Sequence, residues 1–360
     1  MSPNAKKFAI ASSLLVVALI AAAALKFRTP ETEAPPADTP PPAKELTPDA
    51  ALARIGAQEC EEILKFLSSD ELEGRMSGKK GNVAAAEFII GRLRNAGLQT
   101  ATQQFEIKRA NPGPKNEQGD EFTKNVYAWI EGGELKDEIV VVGAHFDHIG
   151  YGPRYSRSKA VAVHNGADDN ASGTAAVLQI ARAMSGLRPK RTIVFQFYSA
   201  EEMGLIGSRF YCNNPTFPAG APDIRKHVAM INLDMVGHLK AEKHQVSIPE
   251  GVDMKSATEA LSNKYKFSKR VTRSGSGGSD HASFYNKKVP VAFIHTGTHK
   301  YYHTPEDDIE TINVSGVAEI ARYAFELAWI LANDEKPSFD DKSFREMPYT
   351  HDHGHQEVGF

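Results

Sequence analysis

The sequence predicts an α/β protein, a three-layer α/β/α sandwich around a mostly parallel, mixed sheet. Three observations carry this. Strand-like and helix-like segments alternate along the chain, as they do when crossover helices join parallel strands. The run Ile139-Val140-Val141-Val142 is apolar at every position, which suits a central strand covered on both faces. His145, Glu202 and Asp234 each follow a strand-like run, placing them at the carboxyl edge where such sheets bind ligands.

The elements are expected in this order. Residues 49–67 read as one amphipathic helix, with Leu52, Ile55, Cys60, Ile63, Leu64 and Leu67 near one face. A second helix covers 83–96 and ends at Gly97. Strands follow at 104–108, 125–130 and 138–144, then a helix at 171–184. Next come a buried strand at 192–198, a helix at 204–211, a strand at 227–233, a helix at 254–264 and a strand at 289–295. A long closing helix spans 314–333. No internal repeat is visible, and the segment 69–133 is too short for an inserted domain.

The ends read differently. Lys6 and Lys7 precede an apolar run at 8–25, broken only by Ser12 and Ser13. Residues 1–27 are therefore expected to be a signal peptide or an N-terminal membrane anchor. Residues 28–48, with Pro40-Pro41-Pro42, form an extended spacer. The body at 49–335 would then lie in the cell envelope, in the periplasm or anchored to the inner membrane facing outward, or be secreted. Residues 336–360 read as a polar tail carrying His351, His353 and His355. The chain of 360 residues has a formal charge of −3 and no basic stripe, which argues against a nucleic-acid partner. Oligomeric state is not legible. Cys60 and Cys212 are the two cysteines, and pairing and two free buried thiols both stay open. Neither has metal-type spacing, so a metal site here is built from nitrogen and oxygen.

Taken singly, the polar motifs are weak. In His145-Phe146-Asp147 the spacing lets the Asp147 carboxylate accept the second ring N–H of a metal-bound His145; the plain alternative is a surface histidine. Asp168-Asp169-Asn170 reads as a helix cap, or as a turn whose Asp169 bridges two ions with its two oxygens. Adjacent Glu201 and Glu202 at a buried strand end repel each other and need a reason to be there. Functionally, Glu202 ligates metal while Glu201 stays off it and moves protons. Asp234 ends an apolar run, and Tyr302-His303 lies in a polar loop, where Tyr302 is placed to donate to an oxyanion. The conjunction persuades. Asp169, Glu202 and Asp234 bring −3 against +4 for two zinc ions, and each ion receives one histidine, one carboxylate and half of Asp169.

These motifs resemble those of the co-catalytic dinuclear zinc exopeptidases, the family of bacterial leucyl aminopeptidases and glutamate carboxypeptidases, over residues 50–335. The resemblance implies the zinc-dependent exopeptidase fold, two Zn2+ and peptide substrates. It implies that His145 and Asp234 hold one zinc, that Glu202 and His303 hold the other, and that Asp169 bridges. Glu201 matches the general base, Asp147 the partner of the first histidine, and a non-proline cis peptide is implied at Asp169–Asn170. The chain departs from some relatives in having Gly275-Ser276-Gly277-Gly278 before Ser279-Asp280-His281, which leaves Tyr302 as the oxyanion donor. The protease-associated domain of many relatives has no counterpart. The expected activity is removal of N-terminal residues from peptides. Alternatives are a carboxypeptidase, for which Arg273 and Lys300 are candidate carboxylate partners, a glutaminyl cyclase of the same fold, and a non-catalytic homologue.

Overall fold

A computed structural model describes residues 46–107, 122–153, 155–215, 223–240, 244–272 and 278–349. The apolar run at 8–25, most of the spacer, Arg273, Gly275 to Gly277 and the histidines of the tail lie outside the described residues. Among the described residues, no helix is long and apolar enough to cross a membrane.

One eight-stranded sheet organises the body, in the order β1-β2-β6-β3-β7-β11-β8-β10. Its strands are β1 (Gln99–Glu106), β2 (Phe122–Ile130), β3 (Leu135–His145), β6 (Arg191–Tyr198), β7 (His227–Leu233), β8 (His244–Pro249), β10 (Ser268–Thr272) and β11 (Val291–Ile294). The four central strands β6, β3, β7 and β11 are parallel. Strands β1 and β2 add antiparallel at one edge, and β8 pairs antiparallel with β11 at the other. Two small pairs complete the set, β4 (Gly150–Tyr151) with β5 (Val163–His164) and β9 (Val252–Asp253) with β12 (Ser338–Phe339). The expected mixed, mostly parallel sheet is what the chain builds.

Period-two alternation divides the apolar residues between two cores. Val140, Val142, Phe195 and Phe197 face one layer of helices: α1 (Pro48–Leu52), α2 (Ala57–Leu67), α3 (Lys80–Asn95), α4 (Gly173–Met184) and α8 (Val314–Asn333). Ile139, Val141, Val194 and Tyr198 face the other, which includes α5 (Ile206–Asn213) and α7 (His281–Tyr285). The remaining helix, α6 (Lys255–Tyr265), sends Ala257 and Leu261 into the first core. Cys60 belongs to the first core and Cys212 to the second, and both are free and buried. The sheet separates them, so the pairing option is closed.

Three expectations change. Helix 49–67 is two helices, because Gly56 takes extended backbone and begins α2 afresh. The strand expected from 104 starts at Gln99, drawn out by pairing along all of β2. Residues 338–349 do not trail as a free tail: Phe339, Phe344, Met347 and Tyr349 pack on the second core. Short apolar insertions in polar sequence gave no periodic signal for that docking.

The second core also buries His227, neutral and saturated. Its Nδ1 lies 3.1 Å from the Ile224 carbonyl, to which it donates, and Nε2 accepts from the Tyr211 hydroxyl at 2.7 Å. Burial pushes its pKa down to about 4, overriding the nearby backbone carbonyls. An unfolded histidine titrates near 6.5. Below that pH the unfolded chain takes up a proton that the folded chain refuses, so stability falls with pH until the folded pKa is reached. Wild type should therefore lose up to about 3 kcal/mol between pH 6.5 and 4 that His227→Gln does not lose. Urea midpoints of the two proteins across that range measure it, and parallel curves would contradict it.

Candidate metal centre

Strand ends and two turns bring the acidic motifs together. His145 ends β3, Asp234 follows β7, and Glu201 and Glu202 lie just beyond β6. Asp169 sits in the turn Ala167–Ser172 that opens α4, and His303 in the loop after β11. All six side chains are buried. Ala200, Met235 and His303 take left-handed φ values of 59°, 52° and 56°, backbone strain of the kind that collects at functional sites.

Asp169 divides its two oxygens between two groups. Its Oδ1 lies 3.3 Å from His145 Nε2, which is 3.4 Å from Asp234 Oδ1. Its Oδ2 lies 3.1 Å from His303 Nε2, which is 3.2 Å from Glu202 Oε2. Glu201 stands further off, with Oε2 at 3.9 Å from His145 Nε2. Two donor sets are thus gathered, one of His145, Asp234 and Glu201, the other of His303, Glu202, Asp169 and His148, and Asp169 also faces His145. The peptide bond Asp169–Asn170 is cis.

The site carries a strong negative field. Burial alone would lower the His145 pKa, but the charges of Glu201 and Asp234 outweigh it and hold it well above the usual range. His303 behaves alike: burial lowers it, Glu202 and Asp169 outweigh that, and it reaches about 10. Asp280 is pushed up by burial and by the neighbouring Glu201 charge. Burial also raises the Tyr302 phenol, helped by Asp169 and Glu202, so it stays a neutral donor. Its ring stacks on His303 at 4.0 Å.

These residues fit zinc. His145 Nε2 and both Asp169 oxygens are buried with no hydrogen-bond partner among the described residues. Imidazole nitrogen and carboxylate oxygen are zinc donors, and the field demands positive charge.

A surrounding layer holds the ligand loops. Arg75 is buried and donates to four backbone carbonyls: Phe146 at 2.9 Å, Asn165 at 2.6 Å, Gly166 at 3.0 Å, and Leu67. Burial lowers its pKa to about 10, with Asp169 and Asp147 opposing, so it remains charged at neutral pH. Asp307 accepts from the backbone N–H groups of Asp168 and Asp169, each at 3.0 Å. Asn170 donates to the Leu233 carbonyl at 3.0 Å and accepts from Met235 N–H at 3.2 Å, tying the Asp169 turn to the end of β7.

Asp147 stands beside His145, as expected, and has a second task. His145 Nδ1 lies 3.2 Å from its backbone carbonyl and 3.7 Å from its carboxylate. The carboxylate accepts the Glu201 N–H at 3.2 Å, so it braces the Glu201 turn. Lys300 is exposed, with its ammonium 4.7 Å from the Tyr301 ring. Sequence reasoning missed Arg75, Asp307 and His148. His148 is buried with Nδ1 2.6 Å from Glu202 Oε1, and its place three residues after His145 was the available signal. Asp168, His238 and His299 also gather, but His299 Nε2 already donates to Asp168 at 2.8 Å. The two imidazoles stack face to face at 3.9 Å.

Comparison with known proteins adds the following. The model of a family described as "Peptidase family M28" matches residues 125–328. Leupeptin-inactivating enzyme 1 of Streptomyces exfoliatus is 29% identical over 255 residues, covering 69% of this chain and 50% of that protein. Aminopeptidase YwaD of Bacillus subtilis is 30% identical over 186 residues, covering 49% of this chain and 37% of that protein. The chain thus matches half or less of the length of these relatives. Among solved structures, BSAP, a zinc aminopeptidase from Bacillus subtilis, superposes with a TM-score of 0.62 at 18% identity, covering 81% of this chain and 99% of that one. That likeness establishes the fold.

Replacing Arg75 by Met should remove the donor shared by four carbonyls and cost about 3 kcal/mol or more in unfolding free energy. Urea denaturation of chelator-treated protein measures this independently of metal. A loss below about 1 kcal/mol would show that water or relaxation satisfies those carbonyls equally well.

Proposed function

Since the chain belongs to peptidase family M28, we propose that it is a zinc-dependent aminopeptidase that removes N-terminal residues from peptides. The observation that carries this reading is the division of Asp169 between two donor sets, Oδ1 towards His145 and Oδ2 towards His303. His145 and Asp234 would hold one zinc, Glu202 and His303 a second, and Asp169 both. Paired zinc supplies Lewis acidity towards the scissile carbonyl and lowers the pKa of an attacking water.

The chain's own residues do the rest. Glu201, braced by Asp147 and set back from the donor atoms, takes a proton from the attacking water and returns it to the leaving amine. Tyr302, held neutral, donates its O–H to the developing oxyanion. The surrounding carboxylates favour a free α-amine, and the relative YwaD bears the name aminopeptidase. Both favour amino- over carboxypeptidase activity. A glutaminyl cyclase using one zinc has no need of the His145–Asp169–Asp234 half. The apolar run at 8–25 behind Lys6 and Lys7 supports export, with the body tethered to a membrane or released into the envelope or beyond.

Free-amine peptides should be hydrolysed, N-acetylated ones should not, and a chelator should abolish the reaction. Pyroglutamate formation with one zinc per chain would instead favour the cyclase. In Glu201→Gln, zinc should remain while turnover drops about 10²- to 10⁴-fold. Asp169→Ala should lose metal by elemental analysis, and full occupancy would remove the bridging role.

A further inference from the structure

We propose that His148 is a positioning residue for the metal ligand Glu202, fixing which of its two oxygens faces the ion. This rests on the zinc reading above and adds to it a residue outside the five ligands.

His148 is fully buried in the loop after β3. Its Nδ1 lies 2.6 Å from Glu202 Oε1, while Glu202 Oε2 lies 3.2 Å from His303 Nε2. One carboxylate oxygen therefore faces His148 and the other faces the donor set. The alternative is that His148 is itself a ligand, since its ring nitrogen also groups with Asp169, Glu202 and His303. The short contact decides between them. A nitrogen and a carboxylate oxygen approach to 2.6 Å only with a proton between them, and an ionised carboxylate cannot supply it. Nδ1 thus carries hydrogen and is not a ligand atom. Nε2 then keeps its lone pair, which agrees with its burial without a hydrogen-bond partner among the described residues; a buried N–H there would cost more.

The ring's place is built in. Gly166 takes φ +57°, and a Cβ there would fall 2.5 Å from His148 Cγ and Cδ2. The edge of the ring meets His303 at 5.5 Å with an interplanar angle of 76°. The bond to Oε1 holds the carboxylate plane and keeps Oε2 turned to the donor set. Such outer partners set ligand orientation, and their loss costs about 10- to 100-fold in metal affinity.

The test is zinc affinity of the metal-stripped full chain, measured by competition with a chromophoric chelator. His148→Leu removes the donor, whereas His148→Asn places an amide N–H near the Nδ1 position but is a poor zinc ligand. His148→Leu should weaken zinc binding about 10- to 100-fold at one site, and His148→Asn should restore it to near wild type. In a His303→Ala background, where the other site is read alone, His148→Leu should change nothing. The proposal is overturned if His148→Leu binds as wild type does, or if His148→Asn falls as far as His148→Leu, the outcome expected of a ligand or of packing alone. Should His148→Leu not fold by circular dichroism, His148→Ala takes its place against His148→Asn. Wild-type protein that binds no zinc would sink the reading of the site as a whole, whereas intact wild-type binding with no His148 effect would sink this inference only.

Discussion

Crowded, buried negative charge is the constraint on which the rest of the structure depends. Asp147, Asp168, Asp169, Glu201, Glu202, Asp234, Asp280 and Asp307 are all buried around it. Water cannot solvate so many carboxylates there, and bringing them together unpaired would oppose folding. The protein answers in three ways. It raises the affinity of some groups for protons, as at Asp280 and at His145. It supplies backbone N–H donors, as to Asp307 and Asp147. What is left over is a field that calls for multivalent cations between His145 and His303.

Holding that charge requires a frame that does not relax. Parallel central strands packed on both faces put His145, Glu201, Glu202 and Asp234 at one edge of a rigid sheet. Short polar side chains then tie one ligand loop to the next. Asn170 joins the Asp169 turn to the end of β7, and Asp307 joins the same turn to the His303 loop. Arg75 spans the loops after β3 and before Asp169 through their carbonyls. Each of these residues acts on a ligand through backbone, so none is visible as a metal-type spacing.

Much of the frame was legible because it follows from periodicity. The strand at 227–233 and the helix at 314–333 match to the residue, since the first is a short, mostly apolar run and the second a long amphipathic pattern opened by the Asn313 cap. Strands β8 and β10 were missed: they lie at the sheet edge, are short and carry mixed polarity. The helix read across 49–67 failed at Gly56, where the apolar spacing continues in sequence although the backbone does not. The docking of 338–349 was illegible because isolated aromatics among polar residues have no period.

The sequence by itself determined which residues are chemically able to hold metal and in what order the strands deliver them. Strand-end position and side-chain type are local properties that single out His145, Glu202 and Asp234, while Asp169 and His303, in a turn and a loop, are named by the conjunction of motifs and the family resemblance. Only the tertiary structure decided which oxygen faces which nitrogen. It gave Asp147 the Glu201 backbone as a second partner beside the His145 ring, set His148 against Glu202, and spent Arg75 on carbonyls. The physical reason is that a hydrogen bond depends on distances of a few tenths of an ångström between loops far apart in the chain, and those distances exist only once both cores are packed.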